Sequence, residues 1–267
     1  MLYQALSELR SGLETAYIDC EKYSGNIFRP AFLSNNPSVG KKVLSSIDDE
    51  LLFCDGFQIS VAFITMGGIT PLLQTLKELE KKDIPGQILT TNYLSFSEPA
   101  ALEKLHSLKN ITLKMYDVDA AADGFHTKGY IFKKDEIYRI IIGSSNMTGS
   151  ALTSNKEWNT RIVSTEQGEM AQQIISEYNE LWNSPYALSY DDFFENYKEK
   201  YKIIRHQREI AKQEQPVSLV KYKLEPNSMQ VGFISNLKQL ISQGEGKALL
   251  ISATGALVIL RTGRKAA

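Results

Sequence analysis

Cysteine is scarce in this chain. Only Cys20 and Cys54 occur in 267 residues, without a CxxC pair or a zinc-like spacing, so no disulfide framework or thiolate metal site can be read from them. They read as two incidental buried thiols of a protein from a reducing cytosol. Histidine is as sparse, with three scattered residues and no nearby carboxylate cluster, so no divalent-metal ligand set emerges and no cofactor is implied. Charge of one sign is missing too. Thirty basic residues face thirty-one acidic ones, a formal net charge of −1, so a polyanionic partner must be held by a local patch and not by a global field. No apolar run approaches a membrane span, and MLYQALSELRSGLE lacks a basic segment followed by an unbroken apolar one. The expected location is cytoplasmic, with no membrane partner.

What is present suffices for one sizeable domain and an appendage, since 43% hydrophobic content closes a core without staples. Leu2, Leu6, Leu9, Leu13 and Tyr17 recur at steps of three and four, which predicts an amphipathic first helix. Beyond the loop at Asn35-Asn36-Pro37, patterning predicts a helix over Val39–Leu52, a strand over Phe57–Phe63 and a helix over Thr70–Lys82. Gln87–Thr91 and Ile111–Tyr116 read as strands around a helix over Pro99–Leu108. Further strands are expected at Phe125–Phe132, Ile137–Ile142 and Trp158–Val163, and helices at Gly168–Trp182 and Tyr190–Lys212. This alternation predicts a layered α/β domain. The polar, proline-containing segment around Gln213–Pro216 marks a boundary.

One set of residues carries chemistry. His126 and Lys128, two apart on the expected strand, project from one face, which puts a nucleophile beside a phosphate clamp. The next strand ends in Gly143-Ser144-Ser145-Asn146, where glycine permits close backbone approach and the Asn146 amide can donate to a phosphoryl oxygen. Eleven residues on, Glu157 opens another expected strand. Its carboxylate could hydrogen-bond one imidazole nitrogen and leave the other free to attack phosphorus.

At these residues the chain resembles the phospholipase D superfamily, whose motif runs H-x-K, then G-S-x-N, then a downstream acid. The resemblance implies a phospholipase D-like αβα sandwich with a mixed central sheet. It implies catalytic roles for His126, Lys128, Asn146 and Glu157, with Ser144 and Ser145 as possible extra donors to the substrate. One departure stands out: Lys133 occupies the position, five after the motif lysine, where the family often has a supporting aspartate. Over roughly residues 1–205, segments such as Gly124-Phe-His-Thr-Lys-Gly-Tyr-Ile-Phe132 resemble the N-terminal phospholipase D-like domain of DEAD/DEAH-type helicases, several of them restriction-associated.

After a linker over 206–226, residues 227–267 resemble the start of a superfamily 2 helicase core. Lys247-Ala-Leu-Leu-Ile-Ser-Ala-Thr-Gly255 looks like the strand entering a Walker A loop, but the chain continues Ala256-Leu-Val-Ile-Leu-Arg-Thr-Gly-Arg-Lys-Ala-Ala267 without G-K-[ST]. No ATPase activity is expected, and the tail reads as a truncation or a frameshifted end.

The remaining conspicuous residues have plainer readings. Lys133 and Lys134 read as a solvated pair before a turn at Lys134-Asp135-Glu136, and His106 and His206 as surface or partly buried histidines. Trp158 reads as a core anchor of its strand and Gly67-Gly68 as a turn. The reading is a metal-independent phosphodiesterase acting through a phosphohistidine, most simply a DNA endonuclease. One H-x-K per chain supplies a nucleophile but no leaving-group acid, so a homodimer pairing two His126 side chains is expected, with DNA and a parent helicase core as partners. Two alternatives stay open: a catalytically decayed DNA-binding module, and a lipid phosphodiesterase.

Overall fold

Among the described residues eight strands form one mixed sheet, with buried apolar residues at its centre. The computed structural model describes residues 30–213, 235–240 and 242–243. In chain order the elements are β1 (Ala31–Leu33), α1 (Val43–Phe53), β2 (Gly56–Val61), α2 (Met66–Ile69), α3 (Leu73–Lys81), β3 (Gly86–Thr91), α4 (Pro99–His106), β4 (Ile111–Tyr116) and α5 (Val118–Ala121). There follow β5 (Lys128–Lys134), β6 (Ile137–Gly143), α6 (Gly149–Thr153), β7 (Asn159–Thr165), α7 (Glu169–Trp182), β8 (Ala187–Ser189) and α8 (Tyr190–Gln213). The strand order is β1-β7-β6-β5-β2-β3-β4-β8, with β2, β3 and β4 parallel and the other pairs antiparallel.

Helices cover both faces, which requires the inner strands to be apolar on both sides. On one face Val43, Ile47 and Leu51 of α1, Leu76 and Leu79 of α3, Leu102 and Leu105 of α4 and Phe193 and Tyr197 of α8 pack on Ile59, Ile88 and Tyr130. The other face is covered by Ala171, Tyr178 and Trp182 of α7 over Leu89, Ile131 and Ile140. Each fully buried aliphatic or aromatic side chain here contributes about 1.5–3 kcal/mol.

Two buried polar groups fix α1, one to the α6 segment and one to β6 and β7. Asn35 donates to the carbonyls of Ala151 and Asn155, both at 2.8 Å, and accepts from the Val43 amide at 2.9 Å. Glu50 on α1 lies 3.1 Å from Arg161 of β7 and 3.6 Å from Arg139 of β6. Burial raises the Glu50 carboxyl above its ordinary range, against the opposing pull of both arginines.

Several sequence boundaries move. The helix expected from Val39 starts at Val43, after a 3-10 turn over Pro37–Val39. The helix expected over Thr70–Lys82 is two pieces, a second 3-10 turn over Thr70–Leu72 and then α3, and α2 precedes them; Pro71 in that turn interrupts the run between α2 and α3. Gly67-Gly68 lies inside α2, not in a turn. Both sheet edges are three-residue strands, β1 and β8, too short for a period-2 signal and short enough to discourage edge pairing.

The chain divides into two compact units, Met1–Ala211 and Lys212–Ala267, so α8 passes through position 205 without interruption. In the second unit a helical stretch is described over 235–240. The expected first helix, Cys20, the 214–226 part of the linker and the Walker-like segment lie outside the described residues. Cys54 is a buried free thiol, pushed up to about 11 by burial. Among the described residues no helix is long and apolar enough to cross a membrane.

Candidate active site

The sheet register brings the motif residues to one rim. Val61, the last residue of β2, pairs with Lys128, the first of β5; Gly129 pairs with Ile142 near the end of β6; Gly143 pairs with Asn159, the first residue of β7. The segments preceding β5, following β6 and preceding β7 therefore meet at the C-terminal ends of the parallel strands.

His126 and Thr127 precede the strand instead of lying on it, because β2 ends at Val61 and offers them no partner. Other contacts hold the segment. Phe125 is buried against Tyr116, with ring centroids 5.5 Å apart, and the Thr127 hydroxyl lies 2.5 Å from that of Ser60. His126 is exposed, and the expected pairing with Lys128 is retained: Lys128 Nζ sits 2.9 Å from His126 Nδ1 and donates to the His126 carbonyl at 2.8 Å. A charged ammonium can only donate, so Nδ1 is the accepting nitrogen in this arrangement. Burial lowers the Lys128 ammonium from its ordinary range, with the Glu157 carboxylate opposing.

Asn146 is oriented by a backbone donor. The Phe63 amide donates to Asn146 Oδ1 at 3.2 Å, which turns Nδ2 away from Phe63 and keeps it as a donor for an oxygen ligand. The residue arrives there because the chain after Asn146 lies against α2, where Ile64 bridges Met147 and the Thr65 amide donates to the Met147 carbonyl at 3.0 Å. Gly68 permits this approach, since a Cβ there would stand 2.1 Å from the Met147 carbonyl oxygen.

Ser144 and Ser145 part company. Ser144 is exposed; its hydroxyl donates in a short hydrogen bond to Glu157 and accepts from the Trp158 amide at 3.0 Å. Ser145 is fully buried, its amide donating to Asn159 Oδ1 at 3.3 Å and its hydroxyl accepting from Asn159 Nδ2 at 2.9 Å. Its carbonyl accepts from the Tyr130 hydroxyl at 3.0 Å. The expected second donor to substrate is thus a structural post. Glu157 also differs from expectation: it lies before β7, not on it, and its partner is Ser144 instead of the imidazole.

Trp158 departs furthest. It is 74% exposed, ahead of β7, and touches Phe32 edge to face; β6 stops at Gly143 opposite Asn159, so no strand extends to draw Trp158 inward. Asn159, Ser60 and Tyr130 organise the site and were not singled out by sequence. Only Asn159 carried a signal, as a strand-depleted residue directly before a β-branched run.

Lys133 is half-buried and Lys134 exposed, and they pair with Glu166 and Asp55 respectively, each at 2.6 Å. Lys133 stands five residues along β5 from Lys128, on the order of 17 Å at strand rise, so an aspartate at that position would not reach a phosphate held at the rim. His106 stacks on Tyr190, and His206 is exposed on α8.

The model of the family described as "Cardiolipin synthase, PLD-like domain" matches residues 56–182, from the first residue of β2 to the last of α7. Among solved structures, the chain is similar to Nuc, a phospholipase D family member from Salmonella typhimurium, at 16% identity, covering 60% of this chain and 98% of that one with a TM-score of 0.46. NucT from Helicobacter pylori matches at 15% identity over 60% and 98%, with a TM-score of 0.48. Phosphatidylserine synthase from Haemophilus influenzae Rd KW20 matches at 14% identity over 68% and 46%, with a TM-score of 0.45. No curated protein sequence matches the chain. Residues 56–182 thus match the model of a phospholipase D-like domain, and within that stretch H-x-K and G-S-x-N are brought to the same rim of the sheet.

Proposed function

We propose that the chain is a metal-independent phosphodiesterase that cleaves the DNA backbone through a phosphohistidine on His126. The observation that carries this reading is the convergence of His126, Lys128, Asn146 and the Ser144–Glu157 pair on one exposed rim. An imidazole, an ammonium and a primary amide together can attack phosphorus and neutralise the charge that develops on its oxygens.

The phosphate competes with the imidazole for Lys128. As the ammonium turns to the phosphoryl oxygens, Nδ1 is released, the ring adopts the Nδ1–H tautomer and the Nε2 lone pair attacks phosphorus. The P–O bond to the leaving alcohol breaks as the P–N bond forms, and water later cleaves the P–N bond. The leaving oxygen needs a proton, for which a second His126 across the two-fold axis of a homodimer is the simplest donor. Ser144 holds Glu157 near Lys128, where its charge favours the ammonium.

DNA is favoured over a lipid because residues 227–267 resemble the start of a superfamily 2 helicase core, which would deliver a nucleic-acid strand to the site in a restriction-associated parent protein. The test is cleavage of DNA, supplied both as a plasmid and as a single-stranded circle, with and without EDTA, beside His126→Ala. Nicking that persists in EDTA and disappears in the variant supports the proposal. Cleavage abolished by chelation, or equal in the variant, refutes it, and hydrolysis of phosphatidyl diesters without DNA cleavage would favour a lipid substrate.

A further inference from the structure

The rim that holds the phosphate-binding groups is bordered on both sides by exposed aromatic rings. On the β7 side Trp158 is 74% and Phe32 64% exposed, their ring centroids 6.0 Å apart at 75°. In such an edge-to-face pair, the ring presenting its edge keeps both its faces clear of the other. Past β2 and β3, Phe63 stacks with Tyr93 at 6.5 Å and meets Phe96 edge to face at 5.1 Å. Tyr93 and Phe96 are 41% and 44% exposed. Phe63 also contributes the amide that orients Asn146, so this second cluster begins inside the phosphate site.

The second cluster is held at a conformational cost. Leu94 and Ser95, neither of them glycine, have φ of 54° and 46°, two successive residues in the left-handed region. Leu94 is half exposed, and the Ser95 hydroxyl is buried with no partner among the described residues. Arg208 of α8 holds the strained pair by donating to both their carbonyls, while its guanidinium lies 4.2 Å from the centre of the Phe96 ring. A loop that serves only to join β3 to α4 has no need to turn three large apolar side chains outward under strain.

The strand order sets the spacing. Trp158 lies two strands from Lys128 in one direction and Tyr93 two strands in the other, so across the sheet the strand positions that carry the two platforms are each about 10 Å from that of Lys128. That places a few nucleotides across the rim with the scissile phosphate at the centre. We infer that these two clusters are base-stacking platforms and that the substrate is a single strand: in a duplex each base face is already covered by its neighbours, whereas an unpaired strand offers bases to the rings and phosphates to Lys128. This inference rests on the phosphodiesterase reading for the identity of the central phosphate.

The experiment compares the full chain's affinity for a single-stranded oligonucleotide, the same sequence as a duplex, and an abasic strand of equal length and charge. It uses the wild type, Trp158→Leu, Trp158→Phe and Tyr93→Leu, with light scattering on each. Wild type should bind the base-bearing single strand tightest, and each leucine variant should lose roughly five- to hundredfold on that ligand only, with Trp158→Phe restoring most of the loss. Equal wild-type affinity for the abasic and base-bearing strands overturns the inference, as does preferential binding of the duplex. Leucine variants that turn a dimer into a monomer with no change in base-dependent affinity also overturn it and assign the rings to a second copy of the chain. Hydrolysis of bis(p-nitrophenyl) phosphate by wild type separates the two claims. Base-dependent binding without that hydrolysis removes the enzyme and keeps the platforms; hydrolysis without base-dependent binding does the reverse.

Discussion

Gly143 closes β6 against the start of β7, and adding one methyl group there tests how tightly the site depends on that closure. A Cβ at this position would lie 2.2 Å from the Trp158 carbonyl oxygen, 2.5 Å from Asn159 Oδ1 and 2.6 Å from Asn159 Cα. Two of these atoms are backbone, so no side-chain rotation relieves the clash, and the strand ends must separate by on the order of an ångström. Overpacking of this kind costs about 1–3 kcal/mol. In a unit of this size each kcal/mol lowers Tm by roughly 2–4 °C. The displacement falls between Ser144 and Glu157, which share a hydrogen bond across that gap, and a misplacement of this size costs roughly a hundredfold in rate. Gly129→Ala is the matched control on β5. Its Cβ would meet nothing nearer than Ile142 Cγ2 at 3.9 Å, so it should be neutral or stabilising by about 0.4–1 kcal/mol. Thermal unfolding and hydrolysis of a small diester, run on both variants, decide the matter. Equal melting temperatures and rates for Gly143→Ala and Gly129→Ala would refute the close approach.

Asn146→Asp keeps the acceptor for the Phe63 amide and replaces the donor amide with a negative charge, so Tm should stay near wild type while diester hydrolysis falls by about 10²–10³; comparable losses in both would assign Asn146 a structural role alone. The Lys128 ammonium, lowered by burial, is present below its folded pKa and lost as pH rises through it. Affinity for thymidine 5′-phosphate should thus decline at a lower pH than an ordinary lysine would give. Glu157→Gln should move that decline to still lower pH, Lys128→Arg should remove it, and a decline unaffected by either variant contradicts the assignment. Because each chain carries one H-x-K, mixing exchanging wild-type and His126→Ala subunits should lower activity more than dilution does; proportional loss together with a monomeric mass would complete the site within one chain.

Of the parallel strands, Ile111–Tyr116 matches its expected bounds to the residue and Gln87–Thr91 within one; in the former, buried Ile111, Leu113 and Met115 alternate with Thr112 and Lys114, the period-2 signal of a strand. Errors cluster where pairing, not composition, decides. His126 and Trp158 were placed on strands because apolar and aromatic residues surround them, but strands end where partners end, at Val61 and Gly143. The same fact turned Trp158 from an expected core anchor into an exposed ring. The pairing of His126 with Lys128 was readable from their two-residue spacing. The inward turn of Ser145 was not, because it depends on Asn159 and Tyr130, which reach it only through the register of β7 and β5. Glu157 was found by spacing alone, and its partner was misassigned because hydrogen-bond choice at a strand end is a matter of ångströms.

The central claim is a covalent bond between His126 and substrate phosphorus. Rapid alkaline quench of the wild-type protein turning over a single-stranded oligonucleotide in EDTA, followed by mass spectrometry of the peptides, tests it directly. The account predicts a phosphoryl-nucleotide adduct on the peptide carrying His126, absent from His126→Ala; turnover with no adduct on that peptide, or an adduct on another residue, would contradict it.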